Sequence, residues 1–170
     1  TTQSVVVTVN PDPVLSSTLT PGPICSGDLF SYTATSATSG STFSWTRASV
    51  TGISQSASSG GTASISETLT NTTTDPVNVT YQVTTTANGC PTTQSVVVTV
   101  NPDPVLSSTL TPGAICSGDL FSYTATSATS GSTFSWTRAA VTGISQPAFS
   151  GGAASISEIL TNTTTAPTNV

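Results

Sequence analysis

Residues 77–101 read VNVTYQVTTTANGCPTTQSVVVTVN, and this stretch decides the fold. Apolar side chains occupy every second position of its first part: Val77, Val79, Tyr81 and Val83. Such alternation predicts a β-strand with one buried face. Asn88-Gly89 is a dipeptide that tight hairpin turns favour, and a second alternating run, Gln94 to Val100, follows it. The stretch therefore predicts two long antiparallel strands joined by a short turn.

The same alternation continues upstream, in short runs that turn residues separate. Predicted strands cover Val14 to Thr20, Leu29 to Thr35, the segment around Phe43 and Trp45, and the segment from Ala63 to Leu69. Six or seven short strands without a helical pattern indicate an all-β, immunoglobulin-like Greek-key β-sandwich. The predicted core consists of Phe30, Tyr32, Phe43, Trp45, Ile65, Leu69, Val79, Tyr81, Val96 and Val98.

The chain also repeats itself with an offset of 91 residues. Residues 1–79 and 92–170 differ at eight positions: Pro23/Ala114, Ser49/Ala140, Ser56/Pro147, Ser58/Phe149, Thr62/Ala153, Thr68/Ile159, Asp75/Ala166 and Val77/Thr168. A period of this length is a whole small domain. We expect residues 1–10 to be the last strand of a preceding repeat, residues 12–101 a complete repeat and residues 103–170 an incomplete second one.

The junctions between the predicted repeats share the motif Asn-Pro-Asp-Pro. It comprises Asn10, Pro11, Asp12 and Pro13 in the first copy and Asn101, Pro102, Asp103 and Pro104 in the second. Proline restricts its own backbone and that of the preceding residue, so these linkers should be short and semi-rigid. A calcium ion at Asp12 or Asp103 is the less favoured alternative to a turn-forming aspartate.

Composition excludes several classes of function. The formal net charge is −5, with Arg47 and Arg138 as the only basic residues, which argues against nucleic-acid binding. The chain lacks His and Lys, and its carboxylates are scattered, so neither an enzyme nor a cofactor is predicted. No apolar run is long enough for membrane insertion.

Three cysteines, Cys25, Cys90 and Cys116, are candidates for structural disulfides. Cys116 is the second copy of Cys25, and the second copy of Cys90 would fall at position 181. Paired cysteines in such a chain predict an oxidising, extracellular location. A bond between Cys25 and Cys90 is favoured. The alternatives are a bond from Cys25 to the hairpin of the following repeat, and two buried free thiols.

Two opposite charges are predicted to meet inside each repeat. Arg47 continues the face of Trp45, and Glu67 lies between the apolar residues of its strand; Arg138 and Glu158 repeat the pattern. If both strands keep their alternation, each pair forms a buried salt bridge. The alternative is a bulge that turns one side chain outward. Asn71 and Asn162 also begin N-x-[ST] sequons, for which glycosylation is not expected.

The order ICSGDLFSYTATS, FSWTR, LTNTTT, VTYQV, NGC and SVVVTVNPDP resembles PKD-like, immunoglobulin-like tandem repeats of giant cell-surface adhesins of Bacteroidetes-type bacteria. The resemblance implies export by the type IX secretion system, as for gliding-motility adhesins, and a location at the cell surface. It covers the complete repeat and nearly all of the partial one.

The expected function is that of a stalk or fibre repeat, which acts as a spacer and gives multivalent display. Its partners would be neighbouring repeats of the same chain, with lateral or head-to-tail filament contacts as a further possibility. One alternative is a carbohydrate-binding module that uses the loop around Ser56 to Ser59, where the second copy carries Pro147 and Phe149. Another is a filament in which residues 1–10 complete the sheet of a neighbouring molecule.

Overall fold

The computed structural model describes all 170 residues. They form two compact units, Thr1–Asp103 and Pro104–Val170. The strands of the first unit are β1 (Ile24–Cys25), β2 (Leu29–Thr33), β3 (Thr42–Arg47), β4 (Ser58–Gly60), β5 (Ser64–Thr68), β6 (Val77–Ala87) and β7 (Cys90–Asn101). Those of the second are β8 (Leu120–Thr124), β9 (Trp136–Arg138), β10 (Phe149–Gly151) and β11 (Ser155–Ile159).

The first unit is a β-sandwich. One sheet has five strands in the order β1-β7-β6-β3-β4, and the other contains β2 and β5. The chain changes sheets between β2 and β3 and again between β4 and β5, so residues distant in sequence face each other across the core. The predicted all-β, immunoglobulin-like sandwich is confirmed.

The hairpin of β6 and β7 is the longest element of this sandwich. Its register runs from Val77 opposite Val100 to Ala87 opposite Cys90. Asn88 and Gly89 form the two-residue turn with φ values of 51° and 80°, which few residues other than Asn and Gly adopt readily. The predicted turn is therefore confirmed.

The core lies between the two sheets of the first unit. Nine of the ten predicted core residues are buried: Phe30, Tyr32, Trp45, Ile65, Leu69, Val79, Tyr81, Val96 and Val98. Phe43, the tenth, is half-buried and packs against this cluster. Phe30 and Tyr81 stack with their ring centroids 5.1 Å apart, and Trp45 meets Tyr81 edge-on at 5.7 Å.

The predicted first strand, Val14 to Thr20, is not continuous. Leu15 forms an isolated bridge to Ser36, and the Leu19 carbonyl accepts a hydrogen bond from the Val97 amide at 2.9 Å. Regular pairing resumes only at β1, which runs parallel to β7. The segment itself contains no proline, but Pro13 and Pro21 flank it directly and withhold backbone donors at its two ends.

Residues 1–10 form no strand in this structure and are exposed along their length. Val5, Val7 and Val9 are 96%, 81% and 85% exposed. The same ten residues, TTQSVVVTVN, form most of β7 at positions 92–101, where Val96, Val98 and Val100 are fully buried. The conformation of this sequence thus depends on its neighbours, and the pairing of residues 1–10 with a preceding repeat stays a prediction.

The second unit reproduces the first part of the sandwich. Its strands pair as β8 with β11 and β9 with β10, and its bridges from Leu106 to Ser127 and from Ile144 to Asn162 match those of the first unit. Leu106 is 46% exposed, whereas its counterpart Leu15 is 9% exposed. The side chains that β6 and β7 cover in the first unit are accordingly more open in the second.

Candidate functional site

The first unit contains one buried polar cluster, formed by Arg47, Glu67 and Tyr81. Arg47 ends β3 and lies opposite Tyr81 of β6, so both belong to the five-stranded sheet. Glu67 comes from β5 of the other sheet. The alternation of each strand points all three side chains inward. The cluster therefore links the two sheets through charged and hydroxyl groups.

The structure brings Arg47 and Glu67 into direct contact. Arg47 Nε donates to Glu67 Oε2 at 2.8 Å, and Nη2 donates to Oε1 at 3.4 Å. The side chains are 1% and 13% exposed, respectively. Arg47 Nη1 and Nη2 also donate to the carbonyls of Ala48 and Ser56, at 3.2 and 2.7 Å. The guanidinium is thus well supplied with acceptors, as a buried charge requires.

The protonation states follow from these contacts. Burial alone would raise the pKa of Glu67, but the hydrogen bonds from Arg47 and Tyr81 outweigh it, and the pKa lies below the ordinary value for glutamate. The hydrogen bond to Glu67 raises the pKa of Arg47. Burial, and then the hydrogen bond to Glu67, raises the pKa of Tyr81. All three groups are fixed in their usual neutral-pH states, which suits a structural role.

The second unit repeats the ion pair. Arg138 Nε donates to Glu158 Oε2 at 2.9 Å, and Nη2 donates to the carbonyl of Pro147 at 2.6 Å. Pro147 replaces Ser56, yet the contact persists because it uses only the backbone. Glu158 Oε1 and Trp136 Nε1 are buried without a hydrogen-bond partner. The second pair therefore has the same geometry with fewer supporting contacts.

Asn71 is a structural residue that the sequence reasoning did not single out for this role. It is buried, and its Nδ2 donates to the carbonyls of Asp75 and Val100, both at 2.8 Å. Its Oδ1 accepts from the amide and the hydroxyl of Thr73, also at 2.8 Å. This amide ties the loop before β6 to the end of β7. The recurrence of Asn-Thr-Thr-Thr in both copies was the available signal.

The structure does not contain the disulfide that the sequence favoured. Cys25, Cys90 and Cys116 are all free, and the predicted bond between Cys25 and Cys90 is not formed. Cys25 pairs beside Asn101, at the end of β7, whereas Cys90 begins that strand. Eleven residue steps along β7 separate the two places, or about 37 Å at the usual rise. A disulfide requires Cα atoms within about 7 Å, so the two cysteines of one repeat cannot meet.

The linker residues lie apart from the ion pair. Asp12 and Asp103 are exposed, while Pro13 and Pro102 are buried. No group of three or more potential metal-binding side chains occurs in the structure. A site at either aspartate would thus have at most two such side chains, which is few for calcium.

The aromatic side chains of the first unit point into the core, where they stack on one another. Phe149 of the second unit is 50% exposed and packs edge-on against Trp136, with ring centroids 5.2 Å apart. Its counterpart in the first unit is Ser58. The chain therefore shows a single half-exposed aromatic ring at the proposed carbohydrate loop and no aromatic platform.

Two sheets packed face to face, with an ion pair between them, define an immunoglobulin-type β-sandwich. A family model described as PKD-like domain matches residues 22–104 and 113–170. These matches cover most of the sequence, and the chain belongs to the PKD-like domain family. Domains of this family are typically extracellular and generally non-catalytic. No curated protein matches the chain in sequence. The structure contains no helix that is long and apolar enough to cross a membrane.

Proposed function

We propose that the chain is part of the stalk of a large bacterial cell-surface adhesin, in which tandem repeats act as spacers. One observation carries the proposal: in the first unit, the chain arrives and leaves at opposite ends of the long hairpin. Asn10 Nδ2 donates to the carbonyl of Asn88 at the hairpin turn, at 3.4 Å. The chain leaves after Asn101, at the far end of β7.

This polarity suits an extended array. Each added repeat would begin where the last one ended and carry the chain forward by about the length of β7, roughly 40 Å for its twelve residues. The Pro-containing linkers would limit bending at each junction. The burial of the aromatic residues is what a spacer requires, whereas a carbohydrate-binding face would present several rings to solvent.

The test is the length of chains that differ in repeat number. Chains would be made with one, two and four additional copies of residues 12–102, and small-angle X-ray scattering would give their maximum dimensions. A spacer predicts a constant increment of about 40 Å per copy. A maximum dimension that grows much more slowly would show that the repeats fold back on one another, and the stalk would be rejected.

A filament assembled by strand donation is the second candidate, and one feature favours it. The second unit has a groove of about 920 Å³, lined among others by Phe121, Trp136 and Glu158. Residues 1–10 are exposed and identical in sequence to the part of β7 that covers the corresponding surface of the first unit. In that case, a neighbouring molecule's residues 1–10 would enter the groove.

Analytical ultracentrifugation tests strand donation. The 170-residue chain and a variant without residues 1–10 would be compared over a range of concentrations. Strand donation predicts concentration-dependent oligomers that the deletion abolishes. A matched variant with Val5, Val7 and Val9 replaced by Thr keeps the segment length but removes its apolar face, and it should also remain monomeric. Equal sedimentation of all three proteins would exclude this candidate.

A further inference from the structure

We infer that the cysteines of this repeat form disulfides between successive repeats, each joining the Cys25 position of one repeat to the Cys90 position of the next. The inference rests on the proposed tandem array. It follows from two sets of contacts within the first unit, each of which places one cysteine beside the same asparagine of the Asn-Pro-Asp-Pro motif.

The first set places Cys25 where the chain leaves the repeat. Cys25 of β1 lies directly opposite Asn101 of β7 in a parallel pairing, and the amide of Ser26 donates to the Asn101 carbonyl at 2.8 Å. Adjacent strands lie about 4.8 Å apart. Cys25 is exposed to solvent. A thiol is therefore accessible within one strand spacing of the first residue of the linker.

The second set places Cys90 where the chain arrives. Asn10 is the counterpart of Asn101, 91 residues earlier. The Asn10 side chain reaches the Asn88 carbonyl at 3.4 Å, and Cys90 follows Asn88 by two residues in the same hairpin. Cys90 is partly exposed. The linker asparagine that precedes a repeat thus lies at the turn that carries the Cys90 thiol.

Together, these contacts assign two neighbours to each linker asparagine. In an array, the asparagine that ends one repeat would lie beside the Cys25 position of that repeat and would reach the hairpin turn of the next. Both cysteine positions would then be near the same linker asparagine, and a disulfide between them requires a Cα separation of about 4.4–6.8 Å. The two cysteines of one repeat, about 37 Å apart, have no such route.

The bond would form by ordinary thiol oxidation. Two thiols lose two protons and two electrons and form one sulfur–sulfur bond, while a disulfide oxidant, such as oxidised glutathione or an oxidoreductase of the export route, is reduced to two thiols. One bond per junction would give successive repeats a second covalent connection beside the Asn-Pro-Asp-Pro linker. A stretched array would then carry part of its tension through the disulfides.

The test uses the 170-residue chain followed by a copy of residues 80–101, which completes the second repeat and supplies a cysteine at position 181. The protein is oxidised at low micromolar concentration with oxidised glutathione, free thiols are blocked with N-ethylmaleimide, and the product is cleaved before aspartate. Each cysteine then falls in its own fragment: 12–27, 75–102, 103–118, and the fragment that begins at Asp119.

The expected result is a disulfide between fragment 12–27 and the fragment that begins at Asp119, with Cys90 and Cys116 alkylated. Cys116→Ser should leave this link unchanged, whereas Cys25→Ser should abolish it. A link between fragments 12–27 and 75–102, or alkylation of all four cysteines, would overturn the inference. The spacer proposal is tested separately, by the maximum dimension of the array. An array that lacks these disulfides but still lengthens by about 40 Å per repeat would support the spacer and overturn only the disulfide inference.

Discussion

Tyr81 donates its hydroxyl to Glu67 Oε2 over 2.6 Å, from one sheet of the first unit to the other. The same oxygen accepts the hydrogen bond from Arg47 Nε. Glu67 thus has two donors on one oxygen and is held in its ionised form inside the sandwich. Glu158 of the second unit has Arg138 as its only donor, and its Oε1 is without a partner.

Removal of the guanidinium from the first unit should be strongly destabilising. Arg47→Met leaves the Glu67 carboxylate without its counter-ion, and breaking such a buried pair costs about 3–5 kcal/mol. Urea unfolding followed by Trp45 fluorescence, in a Trp136→Phe background, measures the loss. In the second unit, Arg138→Met is read through Trp136 in a Trp45→Phe background. Glu158 is 8% exposed and has Arg138 as its only donor, so a loss of the same order is expected. A loss below about 1 kcal/mol, as for an exposed ion pair, would contradict the argument from burial.

The stability of the first unit should fall in acid through Glu67. Its pKa is lowered by folding, so its contribution is complete above the unfolded value of about 4.5 and is lost as pH falls through the folded value. Urea midpoints at pH 7, 5, 4 and 3 should therefore decline mainly below pH 4.5. Tyr81→Phe removes one donor and should make this decline shallower. A midpoint that is independent of pH down to 3 would exclude the linkage.

Thr85→Val should stabilise the first unit. Thr85 is fully buried in β6, and its hydroxyl has no hydrogen-bond partner. Valine has nearly the same shape without the unsatisfied polar atom, and the expected gain is about 1 kcal/mol. Thermal unfolding of Thr86→Val, on the more exposed face of the same strand, controls for the strand preference of valine. An equal gain in both variants would assign the effect to that preference.

Gly60→Ala should destabilise the contact between β4 and β3. A Cβ at position 60 would lie 2.7 Å from the Trp45 indole, whereas one at position 61 would meet nothing within 4 Å. Overpacking of this kind typically costs about 1–3 kcal/mol. Gly61→Ala is the neighbouring control and should change the urea midpoint little. If the two alanine variants unfold at the same midpoint, the indole moves without cost and the prediction is wrong.

Much of this fold could be predicted because its signals are local. Alternation identified the strands that carry Phe30, Trp45 and Tyr81, and Asn88-Gly89 identified the turn. The interruption of the segment from Val14 to Thr20 could not be predicted from its own residues, because they contain no proline or glycine that would break a strand. The role of Asn71 depends on a carbonyl 29 residues away, and strand periodicity carries no information about such a contact.

The cysteines show a second limit of sequence reasoning. The even number of cysteines in each repeat favoured a bond within it, but their separation is set by the register between β1 and β7. That register is parallel, whereas the hairpin of β6 and β7 is antiparallel. An immunoglobulin topology already suggests that Cys25 and Cys90 lie at opposite ends of the sandwich, and the register between β1 and β7 establishes it.

In each unit, an arginine and an asparagine donate hydrogen bonds to main-chain carbonyls of a neighbouring loop. Arg47 and Arg138 do so at Ser56 and Pro147, and Asn71 and Asn162 at Asp75 and Ala166. Because these contacts use only the carbonyls, the side chains at the same loop positions can be substituted while the architecture is maintained. Substitutions at these loop positions can therefore alter the surface of a repeat while the β-sandwich beneath it is preserved.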